Sequence, residues 1–342
     1  MVTINDVAAR ARVGKGTVSR VLNGTGSVSQ VTRHRVQAAI DELGYAPSYA
    51  ARSLARGRVP TVAVIVPFVT HPSAVSRVQG VIEGLRPSDL PVSILDVETP
   101  DHARSHFVSI LGSLRPEGVI VVSLVPDPEL RTQLMDTTIP IVWVDAKVDG
   151  QTSVYIDNAA GGRLAAEHLI GLGHTRIAFV GDEEAGDFGF TSSAERRRGF
   201  TEALQHHGLD AGIVRTGPHG QDVAQRLATE LLTGREAPTA IVTASDTQAV
   251  GVLAAAAALG LDVPGDVSVV GFDDVELAEL VGLTTVRQPI ADSGREAARL
   301  LLASIDDPTV DRSQVQLPLE LVERRSTGAA RGSTGASISN HT

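Results

Sequence analysis

No cysteine occurs anywhere in the chain, which excludes a disulfide framework and any thiolate metal site. The opening residues, MVTINDVAARARVGKG, lack the continuous apolar stretch of a secretory signal. No apolar run reaches the roughly 18 residues that a membrane span needs. The longest candidate, AVGVLAAAAALGLDVP, is alanine-rich and ends early, so a packed helix is expected there. Three catalytic signatures are also missing: the G-x-S-x-G elbow, the G-x-x-x-x-G-K-[ST] loop and H-E-x-x-H. The two glycines of GLGHTR follow a helical pattern rather than a strand, so they read as a helix stop and not as a dinucleotide loop. His102 and His106 in HARSH stand one helical turn apart, but without a nearby third ligand they read as a solvated face. These absences lead to the expectation of a soluble, cytoplasmic protein that is not an enzyme and carries no metal or cofactor.

What is present is an ordinary globular composition, 42% hydrophobic and 20% charged over 342 residues, with charge that is unevenly spread. The net charge is −10. Residues 1–58 hold nine Lys/Arg against three Asp/Glu, a net of +6, whereas the remainder holds 21 basic against 37 acidic residues, a net of −16. A basic head on an acidic body points to a polyanionic partner at the head only. The alternative is a solvated basic surface.

The head reads as short helices. In TINDVAARA, Ile4, Val7, Ala8 and Ala11 fall at helical spacing, with Thr3 as N-cap and Asp6 three residues on. A break at Val13-Gly14 precedes a second helix through KGTVSRVLN, with Val18, Val21 and Leu22 on one side. After the NGTGS turn, a third helix is expected from about Gln30 to Leu43, capped by Ser29, stopped by Gly44, and supplied with apolar positions by Val31, Val36, Ile40 and Leu43. Beyond Pro47, SYAARSLARGR offers two to three turns of marginal helix. From Pro60 the pattern changes. Short β-branched runs (TVAVIVPF, PVSILDV, GVIVVS, PIVWVDA, SVYID, RIAFVGD, AIVTAS, VSVVGFDD) alternate with helical stretches such as AAGGRLAAEHLIGLG and SAERRRGFTEALQHHG. Such alternation predicts parallel sheets wound in βαβ units, and the length to about residue 325 suits two lobes. The tail, STGAARGSTGASISNHT, is Gly/Ser/Thr-rich and is expected to be disordered.

Two short helices joined by a tight turn, the second polar on its outer side, form a helix-turn-helix arrangement. Arg20 can offer a bidentate pair to guanine, Lys15 can reach a base or a phosphate, and Thr17 and Ser19 suit phosphate oxygens. TINDVAARARVGKGTVSRVLNG, followed by VSQVTRHRVQAAIDELGYAPSYAARSL, resembles the DNA-binding head of the LacI/GalR family of bacterial regulators without a gap over about 58 residues. Two positions depart from the family pattern. Gly14 stands where a serine often opens the second helix, and Gly16 where relatives carry a base-reading side chain. The resemblance implies DNA contacts at Thr3, Lys15, Gly16, Thr17, Ser19, Arg20, Asn23, Ser29, Thr32 and Tyr45. It also implies a hinge helix whose Leu54 wedges into the minor groove, with Ala51 small enough for two hinge helices to approach. Its domain division would be a helix-turn-helix domain at 1–46, a hinge and linker at 47–59 and a periplasmic-binding-protein-like body at 60–326. Within the body, one lobe would take about 60–158 and 290–316 and the other about 159–289 and 317–326, leaving 327–342 as the tail.

The resemblance continues through the body in VYIDNAAGG, LIGLGHTRIAFVGD, RRRGF, ASDTQAVG, DVSVVGFDD and TTVRQP. Open α/β sheets bind ligands at the carboxyl ends of their strands, which nominates Phe68, His71, Ser123, Asp145, Asp246 and Asp273. By resemblance, Arg196 and Asp273 contact effector, and Phe190 and Ser192 lie in the variable loop just before Arg196. An arginine with several carboxylates would recognise a polyol, and an aromatic ring could cover a sugar face or stack on a base. The alternative for Asp145 and Asp246 is capping of the helix that follows. Pro218 and His219 stand where many sugar readers carry an aromatic residue. The resulting expectation is a homodimeric repressor that binds a near-palindromic operator under control of a small-molecule effector. A sugar or glycoside is favoured, with a purine, a nucleoside or a phosphoprotein corepressor as alternatives. A transporter's solute-binding protein would share the body but not the basic helical head.

Overall fold

The computed structural model describes residues 2–23, 27–45, 59–135, 137–183 and 190–331. The chain divides into two compact units, Met1–Pro60 and Thr61–Thr342. The expected hinge helix, with Ala51 and Leu54, lies outside the described residues.

In the first unit, α1 (Ile4–Ala11), α2 (Lys15–Asn23) and α3 (Gln30–Leu43) start and stop where local chemistry dictates. The Asp6 amide donates to Thr3 Oγ1 at 3.4 Å and the Thr3 amide donates to Asp6 Oδ2 at 2.8 Å, a reciprocal cap. Arg12 turns the chain in the left-handed region, φ 53°, and its amide returns to the carbonyls of Ala8 and Ala9. The Gly14 carbonyl receives the amides of Thr17 and Val18 and so opens α2. Ser29 Oγ accepts the Thr32 amide at 3.3 Å, and Gly44, at φ +59°, ends α3. Val7, Ala8, Ala11, Val18, Val21, Val36, Ala39 and Tyr45 form the small core. Val31 is not part of it, being 72% exposed. The five-residue step from Val31 to Val36 turns about 140° around a helix and carries Val31 off the buried stripe.

Beyond the head, the described residues form twelve strands in two six-stranded sheets. They are β1 (Val59–Pro67), β2 (Val92–Val97), β3 (Pro116–Val122), β4 (Ile141–Val144), β5 (Thr152–Tyr155), β6 (Ile177–Asp182), β7 (Ile213–Gly217), β8 (Ala240–Thr243), β9 (Ser268–Asp273), β10 (Thr284–Arg287), β11 (Gln314–Gln316) and β12 (Glu320–Val322). The first lobe's sheet has the order β11-β5-β4-β3-β1-β2, and the second lobe's has β12-β10-β9-β8-β6-β7. Central strands read as unbroken apolar runs because both faces are covered; Val62, Val64, Ile65 and Val66 are fully buried. The helices are α4 (Pro72–Leu85), α5 (Pro100–Ser109), α6 (Pro128–Met135), α7 (Asn158–Gly171), α8 (Ser192–His206), α9 (Gln221–Thr233), α10 (Asp246–Ala258), α11 (Glu276–Val281) and α12 (Ile290–Asp306).

The chain passes between the lobes at 155–158, 287–290 and 316–320, where consecutive elements belong to different sheets. β12 pairs antiparallel with β10, so the second sheet is not wholly parallel. It follows β11 directly, without the helical crossover that returns a chain to a parallel position. The tail also departs from expectation. Ser326 Oγ donates to the Val269 carbonyl at 2.6 Å, Gly328 O lies 3.0 Å from His174 Nε2, and the Ala330 amide donates to the Leu172 carbonyl at 2.9 Å. Residues 326–331 are therefore strapped to the second lobe, because their backbone groups find buried partners that composition cannot foretell.

Helices α4 and α12 pack backbone to backbone. A Cβ on Gly80 would collide with the carbonyl oxygen of Ala291, and one on Gly294 with that of Arg77. Gly80→Ala is therefore expected to destabilise the body by about 1–3 kcal/mol, as overpacking does. Urea unfolding of the full chain measures this, and an unchanged midpoint would mean that the two helices separate without cost.

Candidate functional site

In the head, α2 presents Lys15, Gly16 and Arg20 to solvent, with Thr17 and Ser19 half-buried, while Val18 is fully buried against the core. A Cβ at Gly16 would meet nothing. Thr3 and Ser29 serve as caps, and Thr32 Oγ1 lies 2.9 Å from Ser29 Oγ. Tyr45 is committed to the head core at 8% exposure. The side chain of Asn23 lies outside the described residues. Arg10 is engaged by Glu42 at 2.6 Å, whereas Lys15 and Arg20 on α2 and Arg33 and Arg35 on α3 are exposed.

In the body, a cavity of about 340 Å³ lies at the carboxyl ends of the strands, with walls from both lobes. Phe68, His71, Ser123, Asp145, Phe190, Ser192, Arg196 and Asp273 all line it. Four of them end strands with positive φ: Phe68 at 47°, Ser123 at 54°, Asp145 at 59° and Asp273 at 115°. Side chains rarely adopt this backbone region, and it concentrates at sites where geometry serves a ligand. On the first-lobe side, Ser123 Oγ donates to Asp145 Oδ2 at 2.7 Å, and Asp145 Oδ1 is 3.6 Å from an Arg77 nitrogen. That oxygen is buried and has no hydrogen-bond partner among the described residues. On the second-lobe side, Asp273 Oδ1 lies 3.6 Å from Arg196, whose guanidinium stacks 3.6 Å above the Phe272 ring. Each wall thus carries one buried arginine set loosely against one strand-end carboxylate.

A row of rings closes one side of the cavity. Phe68 stacks on His71 at 5.1 Å and on Phe190 at 6.0 Å, and His71 meets His219 at 4.7 Å. Burial pushes the His71 imidazole below its ordinary pKa, and neighbouring His219 adds to the effect. Burial also acts downward on His219, but its 2.9 Å contact with Asp182 and that residue's charge prevail and raise it. Burial pushes the Asp273 carboxyl upward against the opposing pull of Arg196. Arg77, Glu98, Asp182, Glu183, His219 and Gln288 also line the cavity and were not singled out from the sequence as effector contacts. Arg77 sits mid-helix in SRVQGVIEGL, where nothing in the local pattern separates it from a solvated residue.

Asp246 corrects the sequence reading. It does not line the cavity; it opens α10 at 1% exposure, accepting the Val275 amide at 2.9 Å and the Thr285 hydroxyl at 2.6 Å. The capping alternative does not hold either: Ser245 caps α10, its Oγ accepting the Gln248 amide at 3.3 Å, and the Asp246 carboxylate is claimed instead by Val275 after β9 and Thr285 on β10. Burial, with the Asp273 carboxylate adding to it, pushes Asp246 up to about 8. A carboxyl raised from 3.8 binds its proton more tightly in the folded state, so its contribution to stability is lost as pH rises through about 8. Asp246→Asn is expected to stay folded and to remove this part of the pH dependence. Thermal unfolding of both proteins from pH 5 to pH 9 checks it, and parallel curves would place the ionisation elsewhere.

Comparison with known proteins gives this geometry a context. Residues 3–48 match the model of "Bacterial regulatory proteins, lacI family", and residues 166–327 match that of a periplasmic binding protein-like domain. The HTH-type transcriptional repressor PurR of Vibrio vulnificus is 33% identical over 331 residues, covering 95% of this chain and 98% of the relative. A solved transcriptional regulator CelR–cellobiose complex is 33% identical with a TM-score of 0.70, covering 95% of this chain and all of that one. A lac repressor dimer bound to operator and the anti-inducer ONPF is 28% identical with a TM-score of 0.73, covering 96% and 99%. Similarity of this extent, through head and body alike, makes the chain a member of the LacI family of bacterial transcriptional regulators.

Proposed function

We propose that the chain is a homodimeric, cytoplasmic repressor whose α2 reads a near-palindromic operator and whose body binds a sugar or glycoside that changes operator affinity. The observation that carries the effector reading is the cavity. It brings together two buried arginine–carboxylate pairs, a hydrogen-bond-hungry Asp145 oxygen and a row of aromatic rings. Carboxylates and guanidinium groups accept from and donate to hydroxyls, and an aromatic face covers the apolar side of a pyranose. The cellobiose bound by the similar CelR structure supports the same class. Effector and operator affinities are then linked through the state of the body. Among the described residues, no helix is long and apolar enough to cross a membrane.

For the head, Lys15 and Arg20 would supply base readout, and Thr17 and Ser19 phosphate contacts. Thr3, Gly16, Asn23, Ser29, Thr32 and Tyr45 would flank them, with Leu54 as the minor-groove wedge and Ala51 leaving room for two hinge helices to approach. Arg20→Ala is expected to cost about 1–3 kcal/mol at one base pair of the operator and to relax discrimination there. Titration of operator variants against random DNA measures this, and equal losses on both would make Arg20 a phosphate contact only.

For the body, the experiment is thermal unfolding against sugars, glycosides, sugar phosphates, nucleosides and purines. A ligand at ~100 times its dissociation constant adds about 2.7 kcal/mol. A shift with neutral sugars is expected. A shift with purines or nucleosides alone would reassign the effector class, and a silent panel would turn attention to a protein corepressor.

A further inference from the structure

One buried polar network runs through the cavity wall and touches two of the three passages between the lobes. From the first lobe, Arg77 on α4 donates to Ser293 Oγ at 3.1 Å and to Gln288 Oε1 at 3.3 Å. Gln288 sits in the second passage, and its Nε2 donates to Asp273 Oδ1 at 2.5 Å. Asp273 faces Arg196, and Arg196 in turn donates to Asn158 Oδ1, in the first passage, at 2.8 Å. Arg77, Gln288, Asp273, Arg196 and Asn158 are each at most 7% exposed.

Gln288 has a task that few side chains can perform. It must accept from a guanidinium and donate to a carboxylate at once, without charge of its own. An amide does this; a glutamate only accepts and a lysine only donates. Arg77 has a matching double task, because the nitrogen that serves Gln288 is also the one 3.6 Å from Asp145. Both carboxylates of the run, Asp145 and Asp273, line the cavity. A ligand that bonds to either must alter the competition for Arg77 or Gln288, which is the differential interaction that a shift between two states requires.

We propose that Arg77 and Gln288 form a clasp that holds the approach of the two lobes and passes occupancy of the cavity carboxylates to the passages between them. Both are positioning residues, acting through Asp145 and Asp273. The link to occupancy rests on the effector reading above, whereas the clasp itself can be tested without any ligand.

The absence of cysteine makes the test direct. Ser105 on α5 and Gln205 on α8 are exposed, one on each lobe, and both can be replaced by cysteine in the full chain and spin-labelled. Pulsed electron resonance then gives the interlobe distance distribution with no ligand or DNA present. Gln288→Met and Arg77→Met are expected to widen that distribution about twofold. The double variant should go no further than either single one, because residues in one network are not additive. Arg77→Lys keeps the charge beside Asp145 but loses the planar fork, so it should widen the distribution as Arg77→Met does. Three results would each overturn the clasp: an unchanged distribution in folded Gln288→Met, full rescue by Arg77→Lys, or additive widening in the double variant. Circular dichroism establishes folding in each case. Should Arg77→Met not fold, Gln288→Met and Gln288→Glu carry the test, the latter expected to widen the distribution by opposing Asp273. A silent ligand panel would remove the effector reading and leave these distances fully interpretable.

Discussion

The constraint on which the body depends is the placement of two carboxylates, Asp145 and Asp273, at strand ends in different lobes. Each is turned into the cavity by a left-handed backbone and each is met by one buried guanidinium at 3.6 Å. Such backbone conformations cost of the order of 1–3 kcal/mol apiece and persist only where their surroundings over-determine them. Here the surroundings are the flanking strands, which fix Asp145 between β4 and the loop to β5, and Asp273 between β9 and α11. The ion pairs are looser than the 2.6 Å Arg10–Glu42 pair on the surface of the head. A buried carboxylate that is not fully satisfied by its own protein is a strong acceptor for a ligand hydroxyl.

Head and body divide the labour by charge. The head carries exposed cations on α2 and α3, and α2, whose packing face is spent on Val18 and Val21, adds small polar side chains to them. The body keeps its functional arginines buried and paired, so the recognition groups of its cavity are directional hydrogen-bonding atoms rather than an open field. The two surfaces therefore suit different partners: a polyanion whose phosphates position the protein, and a small molecule whose hydroxyls are counted one at a time.

Titratable groups around the cavity are tuned in opposite senses by specific neighbours. His71 and His219 touch ring to ring, yet burial prevails at His71 and lowers it, while the hydrogen bond and charge of Asp182 prevail at His219 and raise it. The ring held by Asp182 therefore takes a proton more readily than its neighbour.

Much of the architecture is local in origin and therefore legible in the chain. The Thr3–Asp6 cap, the Ser29 and Gly44 ends of α3, the apolar runs of β1, β3, β6 and β9, and the cavity position of Phe68, Ser123 and Asp273 follow from periodicity, capping and strand ends. Such features are decided by residues a few positions apart. Asp246 shows the limit: it neither faces the cavity nor caps the next helix, because Val275 and Thr285, distant in the chain, claim its two oxygens. β11 and β12 are too short for a periodic signal, and the ordered strap at 326–331 exists because His174, Val269 and Leu172 offer partners from far along the chain. Arg77 and Gln288 lie 211 residues apart, so no spacing rule could join them. The sequence by itself determined the head helices and the longer strands and helices of the body, with their order; the tertiary structure alone decided the short strands β11 and β12 and which buried polar groups meet between the lobes, because these depend on contacts across sheets rather than along the chain.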